Sequence, residues 1–131
     1  MSRGPPASRL CFLSDLPTLA VGEKVRFLGC VLSYSTATAC LELGHSHPPE
    51  TQVTASVDIR LVLELINPEL TRVGEWVNVL GYKTACRETG PAEKRMSASH
   101  GTIVEVQALR AWPTGPLDLA RYEREGELWK S

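Results

Sequence analysis

The sequence predicts an all-β domain with added helices, built as a five-stranded Greek-key barrel. Two stretches carry this prediction, because Val21–Gly29 (VGEKVRFLG) and Val73–Gly81 (VGEWVNVLG) match at six of nine positions. Each has a glycine before a run of strand-forming residues and a second glycine where the strand bends. A duplication would explain the match. So would two strands that pair while coiling round one small barrel, as the first and fourth strands of such a barrel do.

The first three strands follow from turn residues and from alternating apolar positions. The third is the clearest, since residues 53, 55, 57 and 59 are apolar and the residues between them are polar. Residues 1–9 form a Pro-, Gly- and Ser-rich leader that we expect to be flexible, and 10–21 should cap the barrel. Strand one is predicted at Lys24–Tyr34, with Val25, Phe27 and Val31 facing inward. Strand two is predicted at Thr38–Leu43, with Ala39, Leu41 and Leu43 facing inward, and strand three at Gln52–Ile59.

A short helix is predicted between strands three and four, at Arg60–Ile66. Its apolar residues recur at spacings of three and four, and Asn67-Pro68 ends the run. An OB-fold barrel has a helix at this point, so the order of elements indicates an OB-fold. The rest of the single domain, residues 10–131, is predicted as strand four at Glu75–Tyr82, a long polar loop at Lys83–Gly101, strand five at Thr102–Arg110 and a C-terminal helix at Leu117–Trp129.

Composition and charge limit the class of protein. The net charge is -1 and the sequence pI about 6.3, whereas proteins that bind nucleic acid by themselves commonly have a pI above about 9. No apolar run reaches the roughly 20 residues of a membrane helix, and the N-terminus lacks a signal peptide's apolar stretch. We therefore expect an intracellular protein. The cysteines, which include no C-x-x-C pair, are expected to be buried free thiols: Cys11, Cys30, Cys40 and Cys86.

No pattern in the sequence indicates catalysis. There is no Gly-rich phosphate-binding loop, and no histidine is placed beside a nucleophile or a pair of carboxylates. His45, His47 and Glu50 have side chains that bind metals, but they lie in a Pro-rich segment that we expect to be a solvated loop. The sequence therefore predicts a protein that is not an enzyme and has no metal or cofactor.

Several of these stretches together resemble a known family. They are Val73–Tyr82, Val21–Gly29, the VQAL run at Val106–Leu109 and the PLDLARYE run at Pro116–Glu123. Over residues 9–129 the chain resembles the small OB-fold subunit (Ten-one) of the CST telomere-capping complex, in its fungal form. The resemblance implies a nuclear, non-catalytic subunit that pairs with the middle OB-fold subunit and joins the large subunit. Such a complex protects the telomeric single-stranded overhang at the chromosome end and regulates telomere replication and length.

The alternative is an autonomous single-stranded nucleic-acid-binding OB module, or the small subunit of a complex like replication protein A. OB-folds bind single strands across strands two and three, using aromatic side chains and a basic groove. The outward residues predicted there include no aromatic residue and no cation, and Glu42 and Asp58 are acidic. We therefore expect the isolated chain to bind single-stranded DNA weakly, with a micromolar dissociation constant or weaker.

Two sets of residues remain as predicted contacts. Weak, peripheral DNA contacts are expected near loops, although the same charges also fit a solvated surface and the tyrosines fit packing at the barrel end. The C-terminal helix carries more apolar surface than a solvated helix needs and, by the resemblance, docks the middle subunit. The alternative is that Leu117 and Tyr122 pack on their own barrel. The predicted DNA contacts are Arg26, Tyr34, Tyr82, Lys83, Arg87, Lys94, Arg95 and Arg110, and the predicted partner contacts are Leu117, Tyr122, Leu128 and Trp129.

Overall fold

A computed structural model describes residues 9–47, 52–65, 68–88, 101–114 and 118–129. Six strands and one α-helix are present in this part of the chain, together with three short 3-10 helices. None of its helices has the length and hydropathy to span a membrane. The strands are β1 (Arg9–Leu10), β2 (Lys24–Ser35), β3 (Cys40–Gly44), β4 (Val53–Asp58), β5 (Trp76–Glu88) and β6 (Thr102–Pro113); the α-helix is α1 (Leu119–Trp129), and the 3-10 helices are Leu13–Thr18, Arg60–Leu65 and Pro68–Thr71.

Strands β2 to β6 form a closed five-stranded barrel. The order is β2-β3-β4-β6-β5, and β5 pairs with β2 to close the sheet. Every pair is antiparallel except β4 and β6, which are parallel. Strands β2 and β5 contain the two matching stretches, and their antiparallel pairing places Phe27 opposite Val79. The structure therefore confirms the OB-fold and the predicted pairing of the first and fourth strands.

The barrel interior is filled by the inward residues of every strand, as the alternating pattern predicts. Residues 10–21 do cap it, because Leu13 and Leu16 of the first 3-10 helix are fully buried in the same core. Arg9, the last residue of the predicted leader, pairs with Val25 in a two-residue parallel strand. The fully buried strand residues include Val25, Phe27, Leu41, Leu43, Ala55, Val57, Val77, Val79, Val104 and Ala108.

Strands β5 and β6 are longer than predicted. The expected loop at 83–101 is wrong for Lys83–Glu88, which continue β5 and pair with the start of β6. Strand β6 in turn runs to Pro113, which lies opposite Val77 at the end of the strand, where a missing N–H is tolerated. Backbone hydrogen bonds between these two strands stabilise the extended part of the ribbon. Its sequence is too polar to show a buried face, so the alternating pattern did not predict a strand there. Residues 89–100 lie outside the described part.

Three further local predictions hold only in part. The short helix predicted after β4 is present as a 3-10 helix at Arg60–Leu65, but it buries Val62 and leaves Leu61 69% exposed, so its apolar pattern does not mark one buried stripe; Ile66 lies outside the described residues. Strand two begins at Cys40, because Thr38 and Ala39 belong to the preceding turn, where Ala39 has a φ of 54°. The four cysteines are free thiols as expected, but only Cys11 is buried, and Cys86 is exposed.

Candidate interfaces for a partner and for nucleic acid

Helix α1 begins at a side-chain cap and presents a polar outer side. Asp118 precedes the helix, and its Oδ1 accepts a hydrogen bond from the backbone N–H of Arg121 at 3.0 Å, which satisfies a donor that a helix start leaves open. Arg121 also pairs with Glu125 one turn later, at 3.0 Å. The exposed residues of the helix in the described part are Ala120, Arg121, Arg124 and Glu125.

The inner side of α1 packs on the barrel cap. The ring of Tyr122 meets the ring of Phe12 edge-on, with centroids 5.9 Å apart. Gly126 lies against the same phenyl ring, since a Cβ at Gly126 would be 2.2 Å from the tip of Phe12. Burial raises the pKa of Tyr122 to about 12. The unfolded chain ionises first above pH 10, so the folded state loses stability as the pH rises from 10 through 12.

Two histidines that follow β3 also hold the helix in place. His45 is only 5% exposed, and its Nε2 lies 2.8 Å from Oε2 of Glu123 on α1. His47 places Nδ1 at 3.5 Å from Oε1 of the same carboxylate and its ring 4.9 Å from that of Phe12. Phe12, His45, His47, Tyr122 and Glu123 together form what we call the helix latch.

The helix latch overturns the prediction of a solvated loop at His45 and His47. Sequence reasoning missed it because Glu123 is 78 residues away from His45 in the chain, and nothing local to the loop indicates a partner. In the described residues no group of three His, Cys, Asp or Glu side chains suits a metal ion; Glu50 lies outside them. His45 and His47 connect the loop to α1 through the carboxylate of Glu123.

The latch also changes the interpretation of the predicted partner contacts. Tyr122 packs on its own barrel, which is the alternative that the sequence left open. Leu117 lies outside the described residues. Leu128 and Trp129 belong to α1, but their side chains are outside the described part.

The outward face of β3 and β4 is polar, as predicted, and its acids have partners. Glu42 accepts a hydrogen bond from the Ser33 hydroxyl at 3.3 Å. Asp58 is bound by the guanidinium of Arg60 at 2.7 Å, and this hydrogen bonding lowers the pKa of the Asp58 carboxyl. The surface offers neither an aromatic ring nor an unpaired cation along these two strands.

Only some of the predicted DNA contacts lie together. Arg26 and Arg110 are exposed and lie together, each with its guanidinium over the ring of Trp112, at 5.6 and 5.5 Å from the ring centroid. Tyr82 is 38% exposed on the neighbouring strand, whereas Tyr34 is half-buried against the core. Sequence reasoning missed Trp112, because Pro113 placed it in a predicted chain break.

The remaining predicted DNA contacts do not join this group. The prediction of a DNA contact at Lys83 is wrong, because this residue is only 2% exposed. Its ammonium donates hydrogen bonds to the backbone carbonyls of Pro17, at 3.2 Å, and Leu19. Such a buried cation is not available to a phosphate. Arg87 lies 3.7 Å from the Glu105 carboxylate, further along the sheet. Lys94 and Arg95 lie outside the described residues.

A family model matches nearly the whole chain. Residues 1–125 match the Ten1 family, described as a telomere-capping subunit of the CST complex. The chain belongs to this family. No curated protein matches it in sequence.

Solved structures agree with the fold. A chain of the S. pombe Stn1–Ten1 complex aligns with 97% of this chain and 95% of its own length, at 23% identity and a TM-score of 0.67. The S. pombe telomere-capping protein Ten1 aligns with 95% of this chain and 98% of its own length, at 22% identity and a TM-score of 0.65. Replication protein A of U. maydis, bound to single-stranded DNA, aligns with 92% of this chain and 87% of its own, at 16% identity and a TM-score of 0.56.

Proposed function

We propose that this member of the Ten1 family pairs directly with the middle OB-fold subunit of CST, the counterpart of Stn1, and acts as a non-catalytic subunit at chromosome ends in the nucleus. The family match over residues 1–125 carries this proposal. The similar chain in the S. pombe Stn1–Ten1 complex supports it, because 97% of this chain aligns there.

In this proposal the large CST subunit joins the pair, and the complex holds the telomeric single strand mainly through the partners. The chain's net charge of -1 supports a minor share for this subunit. Affinity for single strands depends strongly on cations that neutralise phosphates, and the β3–β4 face has none that lacks a carboxylate partner. Capping and the control of telomere replication are then properties of the assembly.

Helix α1 is the docking element that we propose for the middle subunit. The helix latch holds α1 in one position on the barrel before binding, and a preformed surface loses less conformational entropy on association. Its polar outer side supplies a rim, while Leu117, Leu128 and Trp129 remain the proposed apolar contacts. Tyr122 has a different role from the one first expected, because it seats the helix.

Co-expression with the middle subunit of the same organism tests the pairing. We expect a one-to-one complex by size-exclusion chromatography with light scattering, since a stable interface buries about 1,600 Å². The variant Gly126→Leu should push α1 away from Phe12, which a Cβ would already approach to 2.2 Å. We expect it to weaken co-purification by at least about tenfold while circular dichroism still reports a folded barrel.

Thr38→Leu is the matched control, because it adds the same side chain at an exposed turn between β2 and β3. It should leave the complex intact. A wild-type chain that forms no complex contradicts the pairing itself. A Gly126→Leu chain that pairs as tightly as the wild type shows instead that the interface lies on the barrel and not on α1.

A further inference from the structure

Three rows of residues cross the outer face of β2, β5 and β6. The strand register aligns Lys24 with Tyr82 and Gln107, then Arg26 with Leu80 and Arg110, then Leu28, which is buried, with Asn78 and Trp112. These rows contain three cations and two aromatic residues and no carboxylate. Positive charge interleaved with aromatic rings is typical of surfaces that bind single-stranded nucleic acid.

Trp112 organises the charge on this face. The guanidiniums of Arg26 and Arg110 come from different strands, and both lie over the indole, at 5.6 and 5.5 Å from its centroid. Cation–π contacts of this kind restrict the side chains without neutralising them. We call Arg26, Arg110 and Trp112 the arginine clamp.

Both arginines of the clamp lack a carboxylate partner in the described part of the chain. Neither forms an ion pair with any residue of the described ranges. The other arginines with a described partner differ, because Arg60, Arg87 and Arg121 each lie beside a carboxylate. A guanidinium with free donors binds a phosphate with good geometry, and two such groups beside each other suit consecutive phosphates of one strand.

We propose that the arginine clamp binds the phosphodiester backbone of single-stranded nucleic acid, with Tyr82 beside it as a surface on which a base stacks. This inference rests on the proposed function, since it names the surface by which this subunit contacts the strand that the complex holds. The surface differs from the usual OB-fold face on strands β3 and β4, because its residues lie on β2, β5 and β6. Trp112 is a positioning residue and does not itself need to touch the strand.

Fluorescence anisotropy of the isolated full chain with a dye-labelled oligothymidine of about 16 nucleotides tests the proposal. The double variant Arg26→Gln/Arg110→Gln should bind about tenfold more weakly at low salt. The slope of log affinity against log salt should shrink by about 1.4, because each phosphate contact on a single strand contributes about 0.7. Arg60→Gln/Arg72→Gln removes the same charge from two exposed arginines elsewhere and should change neither quantity.

Trp112 is tested without changing charge. Trp112→Leu should weaken binding nearly as much as the double arginine variant, whereas Trp112→Phe, which keeps a ring under the guanidiniums, should recover part of the loss. The melting temperature of each variant is measured alongside, and that of Trp112→Phe must lie within a few degrees of the wild-type value for the comparison to stand. If it does not, Arg26→Lys/Arg110→Lys replaces it as the test. This double variant keeps the charge but loses the forked guanidinium, and it should show an intermediate loss of affinity.

Four outcomes overturn the proposal. The first is that the wild-type chain shows no measurable binding at low salt, and the second is that the clamp and control double variants lose equal affinity. The third is that the wild-type chain binds a duplex of the same length as tightly as the single strand. The fourth is that the clamp double variant no longer co-purifies with the middle subunit although its affinity for the oligonucleotide is unchanged. The last result assigns the clamp to a protein interface. Because co-purification and anisotropy are measured separately, failure of the pairing is distinguishable from failure of the clamp.

Discussion

The two matching stretches lie side by side in the barrel, and comparing them separates local from tertiary causes. Gly22 and Gly74 have nearly equal φ angles of 95° and 94°, in the region that favours glycine. The N–H of Gly22 donates to the carbonyl of Lys83, and that of Gly74 donates to the carbonyl of Val31. A local pseudo-twofold axis therefore relates the two turns and makes Val31 and Lys83 equivalent.

The equivalent residues nevertheless meet different surroundings. Val31 is buried among apolar side chains, whereas Lys83 is buried with its ammonium against the carbonyls of Pro17 and Leu19 in the barrel cap. The second glycines differ as well, because Gly81 approaches the backbone of Gln107 and Gly29 faces the side chain of Leu43. The shared motif thus determines the turn and the pairing, and the neighbours determine what each strand can tolerate.

Aspartate at the equivalent inward positions Val25 and Val77 should have the largest effect, because both side chains are fully buried. We expect Val77→Asp and Val25→Asp each to lower the free energy of unfolding by at least about 4 kcal/mol, since the core supplies no partner for a carboxylate. Urea unfolding followed by circular dichroism measures this.

Asn78→Asp is the control on the adjacent outward position and should cost less than about 1 kcal/mol. An unchanged unfolding curve for Val77→Asp alone would break the pseudo-symmetry of the two strands. Unchanged unfolding curves for both Val25→Asp and Val77→Asp would mean that the inward and outward faces of β2 and β5 are reversed.

Alanine at the second glycines should show an asymmetry of intermediate size. A Cβ at Gly81 would lie 2.2 Å from the carbonyl oxygen of Gln107, and backbone in a paired strand cannot move aside freely. A Cβ at Gly29 would meet Leu43 Cβ at 2.8 Å and the more adaptable Leu13 Cδ1 at 3.1 Å. We expect a loss of about 3 kcal/mol for Gly81→Ala and about 1 to 2 kcal/mol for Gly29→Ala. Thermal unfolding that ranks them in the opposite order would contradict this account.

Replacing the buried lysine should have the smallest of the three effects. Lys83→Met keeps most of the length of the side chain but leaves the carbonyls of Pro17 and Leu19 without their donor, while it relieves the burial of a charge. We expect a net loss of about 1 kcal/mol in the free energy of unfolding. Lys24→Met, on the half-buried outward side of β2, should change it by less than about 0.5 kcal/mol. A Lys83→Met chain more stable than the wild type would show that the desolvation of the ammonium outweighs its hydrogen bonds.

Local patterns in the sequence are enough to predict the barrel. Alternating apolar residues, the glycines before each VGE strand and the order of the elements are local signals, and they were enough to predict the OB-fold, the pairing of β2 with β5 and most of the buried faces. The resemblance in the same stretches predicted the family. Local signals did not mark the ends of β5 and β6, because strand pairing there depends on backbone hydrogen bonds that any sequence without internal proline permits.

The candidate sites depend on contacts between residues that are distant in the chain. His45 and Glu123 join across 78 residues, and the arginine clamp takes Arg26 from β2 and Arg110 and Trp112 from β6. Charge and polarity in the sequence suggested that His45 and Lys83 were solvated, and both are buried, because a partner distant in the chain supplies the hydrogen bonds that burial requires. The sequence shows which hydrogen bonds or ion pairs a residue can form. Strand register, and the position at which α1 packs on the barrel, determine which other residue forms them.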